Sequence, residues 1–390
     1  MPEFLPLRAN VEWLKKAAKE RLTLLQASDP LAKLSDAQFV VARDYGFPSW
    51  RAMIAHVEEV RDKLRALLPG SEQLDATPVP PTDPELGQLF AAIQSGDMPQ
   101  VAGLLKQRPA LARAHGADGQ TPLHAAAFCN DPNLAVMLLA YGADPYAVFG
   151  ESGHTALSWA AVCNAREFAS TLVRLGARAD FYAAAGMGAL DLVQSFFDER
   201  GRLVEAASQA GSSRFSADGT RLPCPPESIM EQVSDALCIA CRNGHADVVR
   251  FLLAKAPDLN FRAFMGATAL HWAYFGLSIA TIEMLMAAGA DPTVRDTDLN
   301  CTPRAFGICA PASWGFLFLV QRQIAADKTL VNFTDGATTA LHQAAQNGHI
   351  ETVRFLVEQG ADIEARDANG QRPVDLASAR GHMAVAELLH

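Results

Sequence analysis

A short pattern that returns every 33 to 37 residues restricts what this 390-residue chain can fold into. It begins Thr-x-Leu-His or close to it, at Thr121, Thr155, Thr268, Thr302 and Thr339, with Arg372 in the Thr position of a last copy. The spacings are 34 residues from Thr121 to Thr155, 34 from Thr268 to Thr302, 37 to Thr339 and 33 to Arg372. Each copy continues through a short apolar run, a turn and a second apolar run, and several close on Gly-Ala-Asp. A unit of this length cannot bury its apolar face alone, so successive copies must stack to form a core.

The residue types suit two helices and their turns. A threonine hydroxyl accepts one of the first N–H groups of a helix, which have no partner within it. Pro122, Pro303 and Pro373 follow the Thr position, where a first helical turn tolerates proline. Gly142, Gly176, Gly289 and Gly360 stand where the second helix ends, and a left-handed residue there is normally glycine. With the T-x-L-H opening, the G-A-D close and a period near 33, the chain from about residue 85 to its end resembles the ankyrin-repeat family. That resemblance implies an all-α solenoid of about nine helix-turn-helix repeats.

Residues 1–68 precede the array and read as helices. Trp13, Leu14, Ala17, Ala18, Leu22 and Leu25 recur at helical spacing; Ser35-Asp36 opens a second helix, and Gly46-Phe47-Pro48-Ser49-Trp50 is a turn into a third. The run D-A-Q-F-V-V-A-R-D-Y-G-F-P-S-W resembles a leader found ahead of ankyrin arrays in bacterial proteins, which points to a bacterial source and to a helical cap. Residues 69–84 are a Pro-rich linker. The fourth repeat, from Phe181, has lost its opening turn. From Gly188 to Gly244 there are 56 residues where one repeat is expected, which leaves an insertion within about 198–232.

The formal charge of −10 and the pI near 5.5 argue against general binding to nucleic acid. No apolar run is long enough to span a bilayer, and no secretory signal is evident. Seven cysteines without framework spacing fit a cytoplasmic, reducing setting. Cys238-Ile-Ala-Cys241 lacks the second pair that a structural zinc site needs, so no metal is expected. No cofactor motif occurs either.

The concave side of such an array is formed by the turn tips and the exposed flank of the first helices. The register places Phe128, Met187, Arg242 and Phe275 on that flank, and apolar exposure of this kind marks a binding surface. Trp159 and Trp272 follow the His position and either pack between repeats or show one face to the groove. Tyr274 replaces a small residue and is expected to reach the groove. His154 is expected at a turn tip with a free side chain. His124, His271 and His342 are expected to bond the turn backbone. Arg304 stands where the motif has Leu: it is solvated, paired with an acid, or held for an anionic ligand.

Two functions fit these residues. The first is a scaffold that recognises a partner protein through a few aromatic anchors on the concave face. The alternative is a small-molecule site or an enzyme, with His154, Trp159, Tyr182, His271, Trp272, Tyr274 and Arg304 lining a groove that the 198–232 insertion covers. Glu151, Asp180, Asp191, Glu227 and Asp235 flank that region as candidate acids and bases, and no catalytic residue is assigned among them.

Overall fold

A computed structural model of the chain describes residues 11–45, 47–67, 78–204, 214–216, 220–222 and 228–390. Among the described residues the fold is all-α apart from one two-stranded hairpin and two isolated bridges, and the chain divides into two compact units, Met1–Ser212 and Ser213–His390.

Unit 1 opens with α1 (Val11–Gln26), α2 (Leu34–Asp44) and α3 (Trp50–Leu67). Four helix pairs follow. They are α4 (Pro84–Ser95) with α5 (Met98–Gln107), α6 (Pro122–Cys129) with α7 (Pro132–Ala140), α8 (Ala156–Cys163) with α9 (Arg166–Arg174), and α10 (Phe181–Met187) with α11 (Leu190–Ser195). Between the second and third pairs, β1 (Val148–Phe149) and β2 (His154–Thr155) pair antiparallel, with Phe149 opposite His154.

Unit 2 holds five pairs. They are α12 (Ile229–Asn243) with α13 (Ala246–Leu253), α14 (Ala269–Phe275) with α15 (Ile279–Ala287), α16 (Pro303–Ser313) with α17 (Leu317–Ala326), α18 (Ala340–Gln346) with α19 (Ile350–Glu358), and α20 (Pro373–Ala379) with α21 (Met383–Leu388). First helices pack on first helices, and second helices on second helices.

The T-x-L-H residues explain how neighbouring repeats lock together. The Thr121 hydroxyl lies 2.7 Å from His124 Nδ1, and His124 Nε2 donates to the carbonyl of His154 in the next repeat's finger at 3.0 Å. His271 does the same to Cys301 at 3.1 Å, and His342 to Gln371 at 3.0 Å. A ring nitrogen that faces a carbonyl carries the proton, so each imidazole is the neutral Nε2–H form with Nδ1 accepting from threonine. Where the next repeat has no finger, the histidine is gone. Ser158 occupies its place in repeat three and bonds back to Thr155, and repeat four begins directly at the Asp180 N-cap.

A second lock lies at the opposite end of the helices. Gly348 has φ +75°, and a Cβ there would stand 2.5 Å from His382 Nδ1 of the next repeat. Only glycine fits both the left-handed turn and the close approach. Gly315 repeats the arrangement beneath His349, whose Nε2 donates to Ser313 O at 2.9 Å.

Some expectations are corrected. Pro84, read as the end of the linker, is the first residue of α4, which Asp83 caps through Glu85 N at 2.9 Å; residues 68–77 of that linker lie outside the described residues. The insertion ends before residue 232, because α12 begins at Ile229 with Ser228 and Glu231 forming a capping box. α12 is therefore fifteen residues long where α14 has seven. α3 packs along α7 of repeat two, and Arg178 of repeat three donates to Tyr45 O.

Candidate functional site

Each unit carries an aromatic cluster built on its first helices. In unit 1 the β1–β2 hairpin brings Phe149 edge-on to Trp159 of α8 at 4.9 Å, and Phe128 of α6 meets the same indole edge-on at 5.6 Å. His154 lies 6.0 Å from Trp159 and 5.2 Å from the ring of Tyr182. Phe128 is 59% exposed, Tyr182 is buried, and Met187 is half-buried against the core. The indole Nε1 of Trp159 is enclosed and meets no hydrogen-bond partner among the described residues.

His154 is not at a free turn tip. Its pairing opposite Phe149 places residues 150–153 beyond it, and the side chain is only 2% exposed. Sequence reading missed this because the finger is longer than usual and closes as a hairpin. It missed Phe149 for the same reason.

In unit 2 the cluster is larger. Trp272 of α14 stands at its centre, edge-on to Phe306 at 5.4 Å and to Phe275 at 5.5 Å. The Arg242 guanidinium lies over Trp272 at 5.2 Å and over Phe275 at 5.1 Å, which is cation–π distance. Trp314 stacks on Trp272 at 6.4 Å and meets Phe275 at 5.5 Å. Two further rings flank Trp314. Phe264, from the finger before α14, is at 6.2 Å, and Phe316 is at 5.6 Å. Trp272 and Phe275 are buried, whereas Phe264 and Phe316 are 48% and 44% exposed.

Phe275, expected on the open flank, is thus covered, and the exposed rings belong to residues the repeat register did not single out. α16 runs eleven residues, past the end of the usual first helix, and so carries Trp314 into the cluster. Tyr274 is half-buried, and its carbonyl accepts from Gln323 Nε2 at 2.8 Å. Arg304 is exposed and outside the cluster. It pairs with Asp327 at 2.9 Å and lies 4.6 Å from the centre of the Phe333 ring, so the solvated, acid-paired reading applies and no buried arginine needs a ligand.

Within the insertion, the described residues 214–216 and 220–222 are part of unit 2. Arg214, almost wholly buried, pairs with Glu231 at 2.6 Å, and Phe215 N donates to Arg262 O at 3.0 Å, two residues before Phe264. Pro223 and the rest of 205–213, 217–219 and 223–227 lie outside the described residues, as do Glu227 and the side chain of Glu151. Of the flanking carboxylates, Asp180 is occupied as the N-cap of α10, accepting from Ala183 N at 2.7 Å, Asp235 is buried within α12, and Asp191 is exposed on α11.

Among the described residues no group of three or more His, Cys, Asp or Glu is placed to hold a metal. Cys238 and Cys241 are buried in α12, and burial pushes both thiols upward, away from the thiolate that a metal requires. No helix among the described residues is long and apolar enough to cross a membrane.

Comparison with known proteins agrees with the geometry. Models of ankyrin repeats match residues 89–183, 181–296 and 341–390. Alpha-latrocrustotoxin-Lt1a of Latrodectus tredecimguttatus is 29% identical over 208 residues, 50% of this chain and 13% of the toxin. Palmitoyltransferase ZDHHC13 of Mus musculus is 29% identical over 187 residues, 38% of this chain and 29% of that protein. The ankyrin repeat protein YahD of Escherichia coli (strain K12) is 29% identical over 185 residues, 39% of this chain and 92% of YahD. This chain therefore spans only a minor part of the length of the toxin and of the transferase. With over half of its length matched by one ankyrin model and the interlocked helix pairs that such a match requires, the chain belongs to the ankyrin-repeat family.

Proposed function

We propose that the chain is a scaffold that recognises a partner protein through the aromatic flank of its first helices, in the bacterial cytoplasm. Ankyrin repeats as a class are protein–protein interaction modules. The observation that carries the reading is the pair of half-exposed rings, Phe264 and Phe316, around Trp314 and seated on buried Trp272. Large rings held rigid by a buried layer are the composition of a binding hot spot. The leader-like sequence of α1–α3 supports the bacterial assignment, and seven cysteines without framework spacing support the reducing setting.

Phe264→Ala is expected to weaken partner binding about thirtyfold, the scale of one aromatic anchor. The partner is first captured by a photo-crosslinking residue at position 316 and then titrated against both proteins. Phe318, which is more exposed but has no ring neighbour among the described residues, serves as the control and is expected to tolerate alanine. Equal affinity of the Phe264 variant and wild type would sink the proposal.

A small-molecule site or enzyme is the second reading, and a single observation favours it. The enclosed Trp159 N–H has no hydrogen-bond partner among the described residues of unit 1, and a ligand acceptor would supply one. A metabolite that binds there is expected to raise the melting point of wild type and to leave Trp159→Phe unchanged. A library that shifts neither protein, or both equally, counts against it.

A further inference from the structure

The helical bundle α1–α3 has its own core. Leu14, Ala18, Val41, Ala42, Met53 and Val57 pack together, with Tyr45, Phe47 and Trp50 beside them. The core of the neighbouring repeats, built from residues such as Leu123, Leu138 and Phe168, shares no member with it. The bundle and the array meet where α3 lies on α7 and where Arg178 enters the Tyr45–Trp50 turn. Two bodies with separate cores and a partly polar contact behave like partners in a transient complex.

Arg178 is a departure from the repeat pattern. The motif closes on Gly-Ala-Asp, and the aspartate tightens the turn that follows. Asp144 accepts from Tyr146 N at 3.0 Å, Asp291 from Thr293 N at 2.8 Å and Asp362 from Glu364 N at 2.9 Å. Repeat three reads Gly176-Ala177-Arg178, so it gives up that turn bond. The arginine backbone is instead fixed by Tyr146, whose hydroxyl accepts from Arg178 N at 3.1 Å. Its guanidinium lies 4.9 Å from the centre of the Phe47 ring and donates to the Tyr45 carbonyl. Tyr45 and Phe47 therefore have a use that periodicity does not reveal, because they receive this side chain.

We propose that Arg178 is a latch that holds the α1–α3 bundle on the outer side of repeats two and three, and that the bundle is a releasable cover of that face. The Pro-rich stretch between α3 and α4 keeps a released bundle attached. The chemistry of the latch includes a charge-assisted hydrogen bond and a cation–π contact, which together shift a docking equilibrium by about a hundredfold.

The test uses the full chain with dyes placed on non-natural residues at exposed Glu20 of α1 and Ser170 of α9, read by single-molecule energy transfer. Wild type is expected to give one docked population. Arg178→Asp places there the residue that the motif has elsewhere and removes the latch. That variant is expected to raise the undocked-to-docked ratio about a hundredfold with the melting point of the array unchanged. Arg178→Lys, which keeps the charge but not the planar fork, is expected to fall between the two. A single unchanged population in Arg178→Asp overturns the latch. Loss of array stability in step with bundle release overturns the separable cover, because it makes the contact part of one core.

Discussion

Phe306→Ala is expected to lower the stability of unit 2 by about 3–5 kcal/mol, the range for emptying an enclosed aromatic site. Phe306 has no exposed surface. It meets His271 at 5.3 Å, Trp272 at 5.4 Å and Phe275 at 6.5 Å, all on α14, while it stands on α16 itself. The helices cannot move together to fill the hole, because they already touch at Gly307, where a Cβ would lie 3.0 Å from the Cβ of Tyr274. A cavity that cannot collapse keeps its full cost. Hydrogen exchange of α14 and α16 in mild denaturant would show the loss, and an unchanged opening free energy in those helices would refute it. The same change is expected to weaken partner binding, since Trp272 and Trp314 lose the layer that fixes them.

The pH dependence of stability is the second large effect. Burial holds the His124 and His271 imidazoles neutral and lowers the pKa of each from 6.5 to about 4. Above pH 6.5 both the folded and the unfolded chain carry the neutral ring, and the contribution is fully present. As pH falls from 6.5 to about 4 the unfolded chain takes up protons that the folded chain refuses, so stability is lost. A displacement of this size is worth about 3 kcal/mol for each ring. His342 shifts in the same direction for the same reason. Denaturant titrations of wild type and His124→Gln across this range isolate the effect, because carboxylate titration is common to both. The wild-type advantage is expected to shrink steadily on acidification. A constant difference between the two proteins would show that His124 titrates normally.

Both effects depend on features that differ in how openly the sequence states them. The repeat geometry is legible because the same backbone problem recurs. Thr121, Thr268 and Thr339 cap helices, Gly348 turns left-handed, and each solution uses one residue type at one spacing. The aromatic surface of unit 2 was only half legible. Trp272 and Arg242 sit at motif positions and could be placed by counting. Phe264, Trp314 and Phe316 lie in a finger and beyond an overlong helix, where counting from the motif has no fixed register. His154 and Arg304 went the other way. Each occupies a motif position, yet a hairpin buries the first and an ion pair with Asp327 keeps the second on the surface. Side-chain fate at such places depends on what the neighbouring repeat supplies, which periodicity does not contain.

The histidine locks carry a consequence for how such a protein can be rearranged. His124 sits in front of a finger that offers it a carbonyl, and Ser158 in front of a repeat that offers none. Repeats that carry this histidine, such as repeat two, are thus written for their successors and are not self-sufficient parts. Transplanted ahead of repeat four, repeat two would enclose an imidazole N–H without an acceptor, at about 1–3 kcal/mol. Shuffling, duplication or design within this array is therefore constrained at the joints, and the smallest portable piece is a repeat together with the finger that follows it.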